Sequence, residues 1–445
     1  MNVRLHHSAN VGQASCLPGE RFSASKAGGR AAKGRQDACP TLGFPRRASV
    51  DPEIQFTLAT VPDDPAIRRL LRENPMAGQI SLSLEREPDY FTGARHSRAE
   101  HQTIVARDRG RIVCVGTCSF RQRFVNGEPR RVGYLGGLRL DASVSGRSDI
   151  LRRGYRYFHE LQRAHPADFY FTAIAADNDR ALQFLERGLP GMPRYEYVGD
   201  FVTMLVPVPR SRRCNVGGVR PSSGAAMSEL PASLEGSQAR PAGCVSAPED
   251  GRTSGADDWE AIAAILGEHR SHHQFAPCWT EAELQGLRPL GLRLEDFRVV
   301  RNGSRLAACA ALWDQRTFKQ TVIRGYAMAL AWARPWINLA ARLRTRPGLP
   351  EVGSTLAHAA VSHVAVPLDQ GEMLIELIRS LFPLARSKGI DWLTLGFAAA
   401  DPRLAVLRHG FAAHEYRSRL YHVRWPNFPG EALDERLPNP EIALL

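Results

Sequence analysis

The sequence predicts a mixed α/β protein made of two similar halves in tandem. Segments with continuous or alternating apolar residues, which are typical of strands, alternate with segments whose apolar residues recur at helical spacing. In each half a strand, a tight turn and a second strand come first, and an apolar strand followed by a short helix comes later. This order indicates an antiparallel meander that leads into a β-α-β unit.

An internal repeat supports the duplication. Residues 103–116 resemble 297–310, 194 positions later, and both segments read as strand, turn and strand. Residues 171–188 resemble 393–410, about 223 positions later, and both end their helix at a glycine. The larger separation of the second pair means that the second copy carries an insertion. We place this insertion at 326–353, a stretch rich in Ala, Arg, Trp and Pro.

The elements of the first half follow from these patterns. The first helix is expected at 63–72, and apolar alternation over 80–84 indicates a short strand. A further helix is expected to begin at Pro88, because proline is favoured in the first turn of a helix. The remaining expected elements are strands at 102–107, 111–125 and 130–140, a helix at 149–164, a strand at 168–176, a helix at 179–187 and a strand at 197–207.

Composition divides the chain into five segments. The first and the third are rich in Gly, Ser and Arg and lack periodicity, so they cannot bury enough apolar surface to offset the entropy of ordering. We therefore expect a disordered tail, an α/β domain, a disordered linker, a second domain of the same kind and a C-terminal tail, at 1–50, 51–207, 208–257, 258–426 and 427–445.

The formal net charge of +12 does not by itself indicate a nucleic-acid-binding protein. Only four of the 58 basic residues are lysine, a skew more typical of codon bias than of a binding surface. Half of the positive excess also lies in residues 1–50. We therefore expect no nucleic-acid partner.

The sequence predicts neither a membrane span nor a secretion signal. No stretch approaches the roughly 20 apolar residues of a spanning helix. The nearest run, 326–341, is interrupted by Arg334 and Pro335. No apolar core follows the basic N-terminus, as it would in a signal peptide. A cytoplasmic protein without a membrane partner is the expectation.

No metal site is expected. The eight cysteines include no C-x-x-C pair, and they are more typical of small buried apolar residues than of metal ligands. His269, His272, His273 and Cys278 are close in sequence but lack the spacing of zinc ligands.

A strand–loop–helix segment is the first candidate site. A strand ends at Leu140, a loop of small residues follows, and a helix begins near Asp149. The N–H groups and the dipole of a helix N-terminus attract anions such as a pyrophosphate. The alternative is that Ser148 or Asp149 merely caps an ordinary helix. The candidate anion-binding residues are Ser145, Gly146, Arg147, Ser148 and Asp149.

This segment, together with the one that follows it, resembles the Gcn5-related N-acetyltransferase superfamily. That family binds the pyrophosphate of coenzyme A with a [Q/R]-x-x-G-x-[G/A] loop, of which Gly146 matches the first glycine, whereas Ser143 and Ser148 depart from the pattern. A later N-x-x-A-x-x-F-Y-E-K segment of the family lines the thiol end of the cofactor. Here it is matched at Asn178, Ala181, Phe184 and Glu186, with Arg187 in place of lysine.

The resemblance implies the fold, the cosubstrate and the reaction. A substrate amine, on a small molecule or a peptide, would attack the thioester of acetyl-coenzyme A directly. Backbone N–H groups at Leu138, Arg139 and Leu140 would hold the thioester carbonyl as negative charge develops on its oxygen.

Proton transfer in this family implies further candidates. A tyrosine often protonates the departing thiolate, but Leu185 stands at that position. Tyr155 and Tyr134 are the nearest alternatives, although both fit a role as core aromatics. A base for the amine could come from Glu85, Glu87 or Asp89, although these residues are more typical of a solvated and capped helix start. Of these candidates we select Glu87 and Tyr155.

The second copy is expected to be structural. Its corresponding loop, 366–373, places Asp369 and Glu372 where an anion should bind, and Asp401-Pro402 replaces the asparagine corner. The first copy would then carry an acetyltransferase site. Two rival functions stay open: a non-catalytic protein that binds coenzyme A or a partner for regulation, and an aminoacyl-tRNA-dependent transferase, which also pairs two such domains.

Overall fold

The computed structural model describes residues 54–97, 99–210, 245–246, 255–302, 305–425 and 431–445. The predicted N-terminal tail and most of the predicted linker lie outside the described residues, so their expected disorder stays a prediction.

The first half contains the expected alternation of strands and helices. Most bounds lie within three residues of the predicted ones. The elements are β1 (Gln55–Leu58), α1 (Asp64–Glu73), β2 (Ile80–Glu85), α2 (Thr92–His96), β3 (Glu100–Asp108), β4 (Arg111–Val125), β5 (Glu128–Leu140), α3 (Ser148–Gln162), β6 (Phe169–Ala175), α4 (Asp179–Glu186) and β7 (Arg194–Pro207).

The helix predicted to begin at Pro88 is wrong. The chain there makes a turn, and the next helix, α2, begins only at Thr92. Two carboxylates hold the turn, because Asp64 accepts a hydrogen bond from the Tyr90 N–H and Asp89 accepts one from the Phe91 N–H. Such side-chain bonds to the backbone compete with the helical pattern.

The second half repeats this order with an extra helix. Its elements are β8 (Val245–Ser246), α5 (Gly255–Arg270), β9 (Ala276–Pro277), α6 (Glu281–Gly286), β10 (Phe297–Asn302), β11 (Arg305–Trp313), β12 (Gln320–Tyr326), α7 (Met328–Leu343), β13 (His358–Ala365), α8 (Gly371–Ser387), β14 (Trp392–Ala398), α9 (Arg403–Gly410) and β15 (His414–Arg424). The extra helix, α7, lies in the insertion predicted at 326–353.

Both halves contribute to one continuous sheet. Its strand order is β1-β3-β4-β5-β6-β15-β7-β14-β13-β11-β10-β8, with β9 beside β4. The last strand of the second half, β15, pairs antiparallel with both β6 and β7, and the last strand of the first half, β7, pairs with β14. The halves therefore exchange their final strands.

Two further contacts join the halves. Strands β2 and β12 form a separate antiparallel ribbon, in which Glu85 lies opposite Gln320 and Ile80 opposite Tyr326. The described part of the predicted C-terminal tail, 431–445, packs into the core that the two halves share, with Ile442, Ala443 and Leu445 buried. In this core Glu441 forms an ion pair with Arg270, and both side chains are buried.

Within the described ranges, no helix is long and apolar enough to cross a membrane.

Candidate functional site

The site begins where two parallel strands separate. Pairing between β5 and β6 runs from Val132 opposite Phe169 to Tyr134 opposite Phe171. Strand β5 then continues to Leu140 and β6 to Ala175 without further pairing between them. At the point of separation the Thr172 hydroxyl donates to the Leu135 carbonyl, at 2.7 Å. The two strands therefore leave an opening between their carboxyl ends.

A β-bulge in β5 lies at this opening. Gly136 is opposite Thr117 and Arg139 is opposite Val115, so Gly137 and Leu138 together face one residue of β4. Gly137 has φ +63°, a conformation that favours glycine, and a Cβ there would lie 3.0 Å from the Thr117 hydroxyl. Bulges turn backbone groups out of the regular ladder.

The predicted oxyanion donors, Leu138, Arg139 and Leu140, lie in or directly after the bulge. Their assignment as donors to a thioester oxygen stays a prediction.

The predicted anion-binding loop lies between β5 and α3, as the sequence indicates. Gly146 has φ +89°, and α3 begins at Ser148. The N–H of Ser145 donates to the Ala142 carbonyl, and the N–H of Arg147 donates to the Val144 carbonyl. The loop is therefore a compact turn that ends at the helix N-terminus.

The positive charge of Arg147 at the start of α3 is partly balanced by a carboxylate. The Arg147 guanidinium donates two hydrogen bonds to the Asp149 carboxylate, at 2.8 and 3.2 Å. The pKa of Asp149 is lowered chiefly by that bond to Arg147. An arriving pyrophosphate would therefore meet a guanidinium that already holds a carboxylate.

An apolar cavity lies between the sheet and α3. Its cavity volume is about 90 Å³. Its lining includes Ile150 and Leu151 in the first turns of α3, and Thr117 and Gly136 beside the bulge. The other lining residues are Phe56, Ile104, Ala106, Cys114, Gly116, Cys118, Leu135, Leu138, Gly154, Tyr155, Phe158, Thr172, Ile174, Leu185 and Tyr195.

The second half fills the corresponding space with side chains. Gly154 is the seventh residue of α3, and Leu377, which is fully buried, is the seventh residue of α8. Leu374, Ile378 and Leu381 pack beside Leu377 in one core cluster. The space beneath α3 therefore depends in part on a glycine where the second copy has leucine.

Tyr155 lies in the wall of the apolar cavity. Its hydroxyl is 2.5 Å from that of Tyr195, and burial raises the pKa of Tyr155 to about 12. Burial also raises the pKa of Tyr134 above its usual range. Leu185, at the position of the family's tyrosine, lines the same apolar cavity as Tyr155.

A second cavity lies on the other side of the bulge. Residues of both halves line this inter-half cavity, which has a volume of about 200 Å³. It shares Thr117 and Gly136 with the apolar cavity, so the two spaces meet at the bulge. Its polar lining includes Arg86, Ser97, His101, Thr103, Ser119, Arg121, Tyr134, Arg139, Gln315 and Lys319.

Cationic side chains dominate the charge of the inter-half cavity. Arg121 forms an ion pair with Glu283 at 3.2 Å and stacks over Trp279. Lys319 donates to the main-chain oxygen of Leu445 at 2.5 Å, and burial lowers the pKa of Lys319 to about 7. A lysine with such a pKa is partly neutral near pH 7, so it can accept a proton.

The three acidic candidates are all paired with arginine. Glu87 is held by Arg68 and, at 2.6 Å, by Arg72, and it does not line either cavity. Glu85 is paired with Arg324, and Asp89 with Arg95.

Asn178 caps α4. Its side-chain oxygen accepts a hydrogen bond from the Ala181 N–H at 3.2 Å. Glu186, at the other end of α4, accepts a hydrogen bond from the Tyr421 hydroxyl of the exchanged strand β15. The matched corner thus has a structural role, and its role in cofactor binding stays a prediction.

Sequence reasoning did not identify the bulge or the inter-half cavity. The Gly136-Gly137 pair inside a predicted strand is a signal that indicates a bulge. Lys319 has no comparable local signal, because the second half brings it to the site. Within the described residues, no group of three or more His, Cys, Asp or Glu side chains is arranged to hold a metal ion.

Comparison with known proteins gives matches only among solved structures. No family model matches the chain, and no curated protein does. Saccharomyces cerevisiae N-myristoyltransferase with bound myristoyl-CoA and inhibitors has a TM-score of 0.52 and 12% identity over 86% of this chain and 85% of that one. A second structure of that enzyme, with bound myristoyl-CoA, has a TM-score of 0.51 and 12% identity over 87% and 82%.

A GCN5-related N-acetyltransferase from Sphaerobacter thermophilus has a TM-score of 0.46 and 11% identity over 85% and 98%. The predicted fold is confirmed: the chain has the fold of the acyl-CoA N-acyltransferases, in tandem.

Proposed function

We propose that this chain is an acyl-coenzyme A-dependent N-acyltransferase, and that its acyl group is longer than the acetyl group expected from the sequence. The observation that carries this proposal is the apolar cavity, which meets the inter-half cavity at the β5 bulge. The fold supports the reaction class, and the cavity supports the longer chain.

The proposed binding mode follows the opening between the strands. The pyrophosphate would lie at the loop from Ser145 to Asp149, and the pantetheine arm would run between β5 and β6. The thioester carbonyl would then reach the bulge, where N–H groups at Leu138, Arg139 and Leu140 would stabilise the oxyanion. The amine would attack from the inter-half cavity, and the carbon–sulfur bond would break to release the thiolate.

Burial of methylene groups would select the acyl chain. Each methylene that enters an apolar cavity contributes about 0.8 kcal/mol, or about fourfold in affinity. Acetyl has no methylene to place there, so it would leave the cavity beneath Gly154 unused. A chain that extends from the bulge along α3 would contact Tyr155 and Phe158.

A base in the inter-half cavity would accept the proton of the attacking amine. Lys319 and His101 line that cavity and are the candidates for this role. Glu87 stays a weaker candidate, because Arg68 and Arg72 already hold its carboxylate. Tyr155 stays the candidate acid for the thiolate, from the acyl side of the bulge.

A second candidate function is binding of acyl-coenzyme A without transfer. The observation that favours it is Leu185, an apolar residue where the family often has a tyrosine acid.

The test combines affinity with turnover. Calorimetric titration of acetyl-, octanoyl- and palmitoyl-coenzyme A would measure affinity, and thiol release with a panel of small amines and peptides would measure transfer. We expect affinity to rise with chain length until the cavity is full, and thiol release that depends on an amine. Tight binding without amine-dependent release would instead establish the second function.

A cavity-filling variant gives the matched test. Gly154→Leu introduces the residue that the second copy has at this position. It should shorten the preferred acyl chain by about four methylenes. The longest chain should then lose about 3 kcal/mol of binding free energy. Arg152→Leu, on the exposed side of the same helix, should leave the preference unchanged. Equal affinity for all chain lengths in the wild type would contradict the proposal.

A further inference from the structure

Helix α7 exposes a row of large apolar side chains. Met328, Trp332, Trp336 and Leu343 are 80, 79, 74 and 77% exposed, and Leu339 is half exposed. Their spacing of three or four residues places them on one face of the helix. Contiguous exposed apolar surface of this kind marks an interaction site more often than isolated exposed residues do.

The helix is oriented with polar groups toward the protein. Asn338 donates to the Leu349 carbonyl at 3.1 Å and accepts from the Leu349 N–H at 2.6 Å. Arg334 donates to the same carbonyl and lies over the Tyr326 ring. Only Leu330 of α7 is buried. Specific hydrogen bonds thus fix the apolar face outward, the reverse of an ordinary surface helix.

The charge of this segment is predominantly positive. Residues 326–353 contain Arg334, Arg342, Arg344 and Arg346 and a single acidic residue, Glu351. The last three arginines lie in or just after the final turn of α7 and are exposed. Basic residues that border an apolar face complement an anionic surface.

We propose that α7 lies in the surface of an anionic lipid bilayer. Trp332, Trp336 and their apolar neighbours would enter the boundary between headgroups and acyl chains, where tryptophan is favoured. The arginines at the helix C-terminus would contact lipid phosphates. The helix would lie on the membrane, which agrees with the finding that no described helix could cross one.

This surface is separate from the candidate site and does not depend on the proposed function. Helix α7 follows β12, which begins directly after Lys319 of the inter-half cavity and extends seven residues, about 20 Å. The inference revises the sequence-based expectation of no membrane partner.

The test is vesicle flotation of the full chain. Vesicles of phosphatidylcholine with phosphatidylglycerol are compared with vesicles of phosphatidylcholine alone. We expect the protein to float with the anionic vesicles, and the double variant Trp332→Ser, Trp336→Ser to lose at least about tenfold of this binding. The triple variant Arg342→Gln, Arg344→Gln, Arg346→Gln should lose the preference for anionic lipid and the weakening of binding by salt.

The control is Val61→Ser, which removes an exposed apolar residue far from α7 in sequence and should float as the wild type does. All variants change exposed positions, and circular dichroism melting checks that they fold. Failure of the wild type to float, or unchanged flotation of the tryptophan variant, would overturn the proposal. A further outcome is that the wild type is a dimer in size exclusion and does not bind vesicles, whereas the tryptophan variant is a monomer. This result would assign the apolar face to a second copy of this chain and would also overturn the proposal.

Discussion

Single residues distinguish the two copies. Gly154 leaves space beneath α3, whereas Leu377 at the same helical position fills it. Gly146 has the positive φ of the turn before α3, whereas the second copy places Asp369 at the corresponding point. The difference between a proposed binding site and a filled core thus depends on a few side chains within a shared backbone plan.

Asp149 gives a residue-scale prediction. Its carboxylate holds Arg147 and would stand beside a bound pyrophosphate, so its negative charge opposes the ligand. Asp149→Asn should strengthen binding of coenzyme A severalfold, because it frees Arg147 for the phosphates. Asp179→Asn, which changes the first-turn aspartate of α4, is the matched control and should have no effect. Calorimetric titration checks both, and weaker binding by Asp149→Asn would count against the loop assignment.

At the scale of elements, the exchange of final strands joins the two halves. Neither half can satisfy the backbone groups of its own sheet alone, because β15 lies between β6 and β7. Removing β15 would leave β6 with an unpaired edge, which favours aggregation. The ribbon of β2 and β12 adds a second connection of the same kind.

The exchange predicts the behaviour of a cut chain. A specific protease site inserted between Ala225 and Ala226, in the predicted linker, allows the peptide chain between the halves to be cut. We expect both fragments to elute together in size exclusion under native conditions and to part only in denaturant, because the paired strands hold them. The same protease applied to the unmodified chain is the control. Fragments that separate in native buffer would refute the exchange.

The sequence predicts elements better than it predicts their partners. Apolar periodicity predicts the observed bounds of β4, because it is a local signal. The internal repeat predicts the duplication, because it is directly visible in the sequence. The prediction of a helix that begins at Pro88 is wrong because the carboxylates of Asp64 and Asp89 hold a turn there. The exchange was not predictable, since β15 pairs with residues such as Ala175 far away in sequence.

In the candidate site too, the sequence predicts local features and not those that depend on tertiary packing. The loop at Gly146 was identified from its small residues and its place before a helix. The apolar cavity was not identified, because a cavity depends on how side chains from six strands and two helices pack around it. Lys319 was missed for a related reason, since only the tertiary fold brings it to the first half.

As a whole molecule, the chain consists of two copies of one fold, and we propose that the first half carries the acyl-coenzyme A site and that the second half supports it. The second half covers the inter-half cavity with Trp313, Lys319 and Leu445 and completes the sheet. Its own helix α8 packs on a filled core. We therefore expect one acyl-coenzyme A site in each chain.

The most direct test is the stoichiometry of binding on the full chain. A non-transferable thioether analogue of the best acyl-coenzyme A is titrated by calorimetry into the wild type, into Gly146→Glu, and into Gln370→Glu. The last variant adds the same charge in the second copy, beside Asp369, the residue that corresponds to Gly146. One equivalent per chain, lost in Gly146→Glu and kept in Gln370→Glu, is the result expected. Two equivalents per chain, or undiminished binding by Gly146→Glu, would contradict the assignment of a single site to the first half.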